Sequence, residues 1–375
     1  MNYSDALIVD FAPIDHGDIT GVARVAISFL HHVNMLQDLF LIRNLESFHR
    51  ASGIPEYIEI SLVLKGTLKE SKSFNEIRNQ LRDLPTTRIP KKSLSNSRIL
   101  YPLWRPASRI SNQEFLILYD FSTMRFSETH SIETVQRFIK NLEYATQLGT
   151  KCICISKTTM RDAIKYSAIE KKNMKVIYCG LNPFLDIELT IPKVDLFAEK
   201  HSKEVIKFLF ISTLEPRKRI IETLEWWIHS EYNNGENHLT VIGGIGWWSP
   251  KEFLGSLAKL RKSLENSSVT FTGYVDEDQM ANFLAEASVL LYPSKYEGFG
   301  LPVQDALVFG VPVLAAANSA LLEFHSEMVE FVHGDQTELW DRKLTELLSR
   351  NQSKSVHDFE LKYSWSGYFQ YIMES

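Results

Sequence analysis

The sequence predicts an α/β protein of two domains, each built on a parallel sheet. Three observations carry that expectation. Short apolar runs alternate with segments of helical periodicity along the chain. The alternation breaks at a proline-punctuated stretch, residues 182–203, and then restarts. A length of 375 residues also exceeds what one ordinary core accommodates.

In the first half, residues 6–9 form an apolar run that leads into a polar loop over residues 15–21. Val22, Val25, Ala26, Phe29, Leu30 and Val33 then recur at helical spacing. Residues 114–119 are the next strand candidate, ending at Asp120, and residues 132–147 a helix. A strand over 151–155, a Ser/Thr-opened helix over 156–167 and a strand over 175–178 ending at Gly180 follow. Beyond the linker, residues 207–211, 239–242, 269–271, 288–292 and 313–315 are five strand candidates with helices between them. Ser249-Pro-Lys-Glu252 has the form of a capping box. The expected division is 1–195 and 196–357.

A hydrophobic content of 44% with 23% charged residues describes a water-soluble globular chain. No apolar run approaches the ~18–20 residues that span a bilayer, and the first ten residues carry acids where a signal peptide carries bases. Cys152, Cys154 and Cys179 make a poor disulfide framework and read as small apolar core residues. A cytoplasmic location is expected, with peripheral attachment to the inner face of the cytoplasmic membrane as an extension of it. The charge is uneven, because residues 1–190 hold 24 Lys and Arg against 20 Asp and Glu, and the rest 17 against 26. Residues 65–109 alone hold eleven basic residues and three acids. That stretch reads either as a contact for anionic lipid or a polyphosphate-linked acceptor, or as a solvated loop. Nucleic acid is not an expected partner.

The most informative segment is Tyr292-Pro-Ser-Lys-Tyr-Glu-Gly-Phe-Gly-Leu-Pro-Val-Gln-Asp305. A buried strand runs into a glycine loop with Glu297, Gly298 and Gly300, and Pro302 marks the first turn of a helix. Backbone N–H groups and the positive end of the helix dipole there attract anions. Carboxylates at Glu297 and Asp305 beside such a loop suit a ligand with both phosphates and hydroxyls. A nucleotide sugar fits. Arg217 and Lys218 follow Pro216 just beyond the strand at 207–211, where ligands bind in open α/β sheets, and suit a diphosphate. Gly243 and Gly244 end the next strand and permit close backbone approach. Their context is not G-x-G-x-x-G, which disfavours a dinucleotide-dependent dehydrogenase. Asp276-Glu-Asp278 spells a metal-binding motif but sits where a helix N-terminus is expected, so capping explains it.

Leu214-Glu-Pro-Arg-Lys218, Gly246-Trp247, Phe271-Thr-Gly-Tyr-Val275 and the Tyr292 to Pro302 segment occur in the order seen in the retaining glycosyltransferases of family four, which this chain resembles. Thr20-Gly-Val-Ala-Arg24, the Tyr119 to His130 segment and Tyr363-Ser-Trp365 resemble further family segments, with Tyr119 where histidine is usual. The resemblance implies GT-B architecture, two Rossmann-like domains facing a central cleft. A helix over about 358–375 would pack back on the first, acceptor-binding domain.

Carried over position by position, Arg217 and Lys218 would hold the donor diphosphate, and Glu297 would contact the sugar hydroxyls. The backbone of Gly298, Phe299, Gly300 and Leu301 would assist at sugar and phosphate. Asp305 would receive the ribose hydroxyls, where the family usually has glutamate. Val275 would lie near the base, Gly21 would line the cleft from the first domain, and Asp120 would sit near the transferred sugar. The implied activity is metal-independent, cofactor-free transfer of a hexose with retention, mannose from GDP-mannose being the donor reading. The acceptor would be a saccharide or lipid-linked glycan of bacterial surface polysaccharide. A sugar-nucleotide epimerase, a phosphorylase or a catalytically degenerate binding subunit are the alternatives on the same fold.

Overall fold

The computed structural model describes residues 3, 6–15, 21–43, 56–185, 205–246, 251–265, 267–350 and 363–375. The chain divides into two compact units, Met1–Ser127 with Ile132–Phe184 and Glu360–Ser375, and Glu128–Ser131 with Leu185–Phe359. The expected boundary near residue 195 lies outside the described residues, as do Ser249 and Pro250 of the capping box and Trp247.

The first domain contains eight strands: β1 (Leu7–Asp10), β2 (Leu39–Ile42), β3 (Tyr57–Val63), β4 (Thr87–Pro90), β5 (Arg98–Tyr101), β6 (Gln113–Leu118), β7 (Lys151–Cys154) and β8 (Met174–Val176). Their order is β4-β3-β2-β1-β5-β6-β7-β8. Along that order pairing is parallel from β2 through β8, as expected, but β3 runs antiparallel to β2 and β4 antiparallel to β3. The expected parallel sheet is thus extended at one edge by two antiparallel strands. β4 is a four-residue edge strand ending in Pro90, and an edge tolerates a residue without an N–H donor.

Part of the basic stretch is regular structure, and most of its cations are exposed. It holds β4, β5 and the helix Phe74–Arg82, whose N-cap Ser73 accepts from the Glu76 N–H. Arg105 is not a surface cation at all. Its guanidinium is buried against Glu114 at 3.0 Å and also donates to the Pro106 carbonyl and the Thr150 hydroxyl. Glu114 in turn accepts from the Tyr101 hydroxyl at 2.9 Å and the Ile110 N–H at 2.7 Å. A buried guanidinium needs this many partners because an unpaired charge in the core is costly.

Helices α1 (Gly21–Leu36), α2 (Phe74–Arg82), α3 (Ile132–Gln147) and α4 (Lys157–Tyr166) connect these strands. The last helix of the chain, Ser366–Glu374, belongs to the first domain, where Tyr368 packs on Phe29 and Tyr371 on Phe115. Cys152, Cys154 and Cys179 are buried free thiols, and burial pushes Cys154 and Cys179 up to about 12. Among the described residues, no helix is long and apolar enough to cross a membrane.

The second domain is a six-stranded, wholly parallel sheet: β9 (Lys207–Ile211), β10 (His238–Ile242), β11 (Val269–Gly273), β12 (Val289–Tyr292), β13 (Val313–Ala316) and β14 (Val329–Val332). Its order is β11-β10-β9-β12-β13-β14. Strands β9, β12 and β13 read as unbroken apolar runs because helices cover both faces. Phe208, Trp226, Trp227 and Trp340 form an aromatic cluster on one face, the Phe208 and Trp227 rings 5.2 Å apart. The order has one functional consequence. The chain starts at β9, winds outward through β10 and β11, then returns to β12 beside β9 and winds the other way. The C-terminal ends of β9 and β12 therefore bound the topological switch point, where a crevice opens in sheets of this kind.

Candidate donor site

Both loops that the sequence singles out leave the sheet at this switch point. After β9, Pro216–Lys218 form a single 3-10 turn that ends on Arg219 in the left-handed region, φ 58°. After β12, the chain runs through Pro293 to Gly300 and enters helix α8 (Leu301–Val308), which follows α5 (Ile220–His229), α6 (Lys251–Leu264) and α7 (Glu277–Glu286). The Lys295 N–H donates to the Arg217 carbonyl at 2.8 Å and ties the two loops together.

Three predicted residues meet there. Lys218 Nζ lies 2.5 Å from Glu297 Oε1, and Arg217 Nη1 lies 3.5 Å from Oε2. Arg217 is fixed further by the Tyr296 carbonyl and the Glu215 carboxylate, each at 2.6 Å. Lys218 also reaches the Tyr292 hydroxyl at 3.4 Å. Glu215 and Tyr292 received no role from sequence, although both stand inside the motifs that carry the family resemblance.

The electrostatics follow from burial and charge. Burial pulls the Lys218 ammonium below its ordinary range and Arg217 adds to the effect, against the opposing pull of Glu297. For Glu297 burial acts the other way, raising its pKa. Lys218, Arg217 and hydrogen bonds from Lys218 and Ser294 together outweigh it and hold the carboxyl below its usual range. The cluster is thus two cations balanced by two carboxylates, Glu215 and Glu297, set at strand ends, so an anionic ligand engages the cations by displacing a carboxylate.

Gly300 caps α8 with φ 112°, a conformation that favours glycine, and a Cβ there would meet Leu321 Cδ2 at 2.9 Å. Pro302 falls in the first turn as predicted. The Phe299 ring is buried against Phe324, with 5.3 Å between ring centroids. Gly298 precedes it in the loop, and Leu301 opens the helix. Asp305 is buried one turn into α8. Gly243, φ 130°, ends β10 so close to the Ser212 carbonyl that a Cβ would sit 1.9 Å from its oxygen. Gly244 accepts the Leu214 N–H, and Val275 is buried just after β11. Asp276 caps α7 in a capping box with Gln279, which accounts for the acidic run there.

Two predicted residues belong to the first domain. Gly21 opens α1. Asp120 follows β6, and its carboxylate accepts from the Ser122 N–H at 2.9 Å and hydroxyl at 2.7 Å, an Asx-type turn. The neighbouring Tyr119 donates to the Val22 carbonyl at 3.4 Å and is half-buried. Among the described residues no group of three His, Cys, Asp or Glu is arranged to hold a metal ion.

Residues 193–360 match the family described as Glycosyl transferases group 1. The O-antigen chain mannosyltransferase B of Escherichia coli is 30% identical over 115 residues, 31% of this chain and 29% of that protein. The O-antigen chain mannosyltransferase RfbU of Salmonella typhimurium is 27% identical over 214 residues, 54% of each chain. The chain thus spans 29% and 54% of the lengths of these two relatives. Among solved structures, Anabaena Alr3699/HepE in complex with UDP-glucose aligns with a TM-score of 0.60 at 15% identity, covering 99% of this chain and 98% of that one. The fold is GT-B, in two α/β domains.

Proposed function

Residues 193–360 belong to the Glycosyl transferases group 1 family, and on that premise we propose that this chain transfers a hexose from a nucleotide-diphosphate sugar with retention of configuration. The single observation that carries the reading is the Arg217–Lys218–Glu297 cluster at the switch point of the second domain. A diphosphate arriving there competes with Glu297 for the two cations. Once Arg217 and Lys218 turn to the phosphate oxygens, the carboxylate is released toward the hydroxyls of the attached sugar. As the glycosidic bond breaks, negative charge grows on the leaving phosphate, and preorganised cations stabilise it without reorganisation.

The donor reading is GDP-mannose. Its support is that both of these relatives carry the name mannosyltransferase. The acceptor reading is a saccharide or lipid-linked glycan of a surface polysaccharide, with Gly21 and Asp120 of the first domain assigned to it and the transferred sugar. Metal independence is part of the proposal, because Arg217 and Lys218 supply the positive charge a diphosphate requires. Peripheral contact with anionic lipid through exposed Lys65, Lys69, Arg82, Arg88 and Lys92 is part of it as well.

The test is product stereochemistry. Incubation with GDP-α-mannose and a mannoside acceptor, with and without EDTA, is followed by proton NMR of the new anomeric centre. An α-linkage at unchanged rate in EDTA is the expected result. A β-linkage contradicts retention, and loss in EDTA contradicts metal independence.

A further inference from the structure

Among the described residues, two that are not glycine adopt left-handed backbone, Arg219 and Ser319. A side chain with Cβ occupies that region only where its surroundings impose it, and such positions gather at functional sites. Arg219 follows Lys218 directly. Ser319, φ 47°, lies beyond β13, far from Glu297 in sequence but hydrogen-bonded to it.

The bonds form one chain that links the loops after β9, β12 and β13. The Glu297 N–H donates to Ser319 Oγ at 2.9 Å, and the Ser319 hydroxyl donates to Asn318 Oδ1 at 2.7 Å. Asn318 Nδ2 donates to the Ser294 carbonyl at 2.9 Å. The Ser294 hydroxyl turns toward the carbonyls of Tyr296 at 3.2 Å and Arg217 at 3.4 Å. From the residue after Ser319, the Ala320 N–H reaches the Glu297 carbonyl at 3.4 Å. Asn318 stands at the N-cap of the 3-10 turn Ser319–Glu323 but makes no side-chain cap bond to it. Its amide is turned to the Glu297 loop instead, against the usual preference of a capping asparagine.

We propose that Ser319 and Asn318 are positioning residues that clamp the Glu297 main chain, so that its carboxylate stays in register with Lys218 and with the sugar of a bound donor. Gly298 and Gly300 follow Glu297 and give the loop conformational freedom that the clamp removes. The proposal rests on the donor-site reading above. It goes beyond it by assigning function to a loop that lies outside the motifs carrying the family resemblance.

The test uses the full chain and whichever of GDP-mannose, UDP-glucose, ADP-glucose and dTDP-glucose the wild type turns over. Ser319→Gly deletes the hydroxyl but relieves the left-handed backbone, so released strain offsets the lost hydrogen bonds and its melting temperature should stay within a few degrees of the wild type. Its kcat should fall about tenfold or more, because small displacements of a reacting group are costly in rate. Its donor KM should stay within about threefold, since the phosphate contacts are untouched. Asn318→Ala should show the same split. Glu297→Gln runs alongside. If Ser319→Gly and Asn318→Ala keep wild-type kcat while Glu297→Gln loses it, the clamp is overturned and the donor site stands. If Glu297→Gln also keeps wild-type turnover, or the wild type turns over no sugar nucleotide, both fall together.

Discussion

The Lys218 ammonium and the Glu297 carboxylate meet at 2.5 Å, with side chains only 10% and 9% exposed. Each lies on a different loop, one after β9 and one after β12, and the pair bridges the two. A pair so placed is strong in the empty site and must be rearranged when an anion enters.

Breaking the pair from one side leaves a buried charge. Glu297→Gln should therefore lower the unfolding free energy by about 3 kcal/mol at neutral pH, read by urea denaturation. The pH dependence has a definite sign. The folded carboxyl of Glu297 lies below its unfolded value. Its contribution is complete above the unfolded value of about 4.3 and is lost as pH falls through the lower folded value. The gap between wild type and Glu297→Gln should narrow on acidification below about pH 5. A gap that widens in acid contradicts this reading.

Lys218→Ala should lose turnover by about 10²-fold or more, the scale seen when one preorganised charge-stabilising donor is removed. Initial rates of transfer or donor hydrolysis measure it. Turnover within twofold of wild type would remove Lys218 from the mechanism.

Asp305→Asn keeps the side-chain shape and removes the charge. If Asp305 receives ribose hydroxyls, nucleotide affinity should weaken about tenfold, the worth of a charge-assisted hydrogen bond. Calorimetric titration with the free nucleoside diphosphate reads it. Unchanged affinity would reduce Asp305 to a buried helical acid.

The core network around Arg105 gives a prediction independent of catalysis. Glu114→Gln strips the carboxylate that faces the Arg105 guanidinium, and should destabilise the first domain by about 3 kcal/mol. A lower denaturant midpoint with an unchanged slope is the expected signature.

The second domain was legible because β9, β12 and β13 are buried and read as apolar runs, and because Gly300 and Pro302 mark a turn and a helix start that few other residues could make. β14 escaped because Glu330 interrupts its four-residue apolar run. In the first domain, β2, β4 and β5 are four residues each, and β4 and β5 carry Arg88 and Arg98, so cations masked their strand character. Arg105 is one of the eleven basic residues in 65–109, and composition reports its charge but not the Glu114 partner that buries it. Arg217, Lys218 and Glu297 were found by type and position at strand ends. Ser319 was not, because a left-handed serine has no sequence signature and its bond to Glu297 joins residues on separate loops.

Donor binding tests the central claim most directly. The wild-type chain and Lys218→Ala are titrated by calorimetry with GDP-mannose, UDP-glucose, ADP-glucose and dTDP-glucose. The account predicts saturable binding of at least one of them by the wild type, weakened about tenfold or more in Lys218→Ala. No binding of any, or equal binding by both proteins, would contradict it.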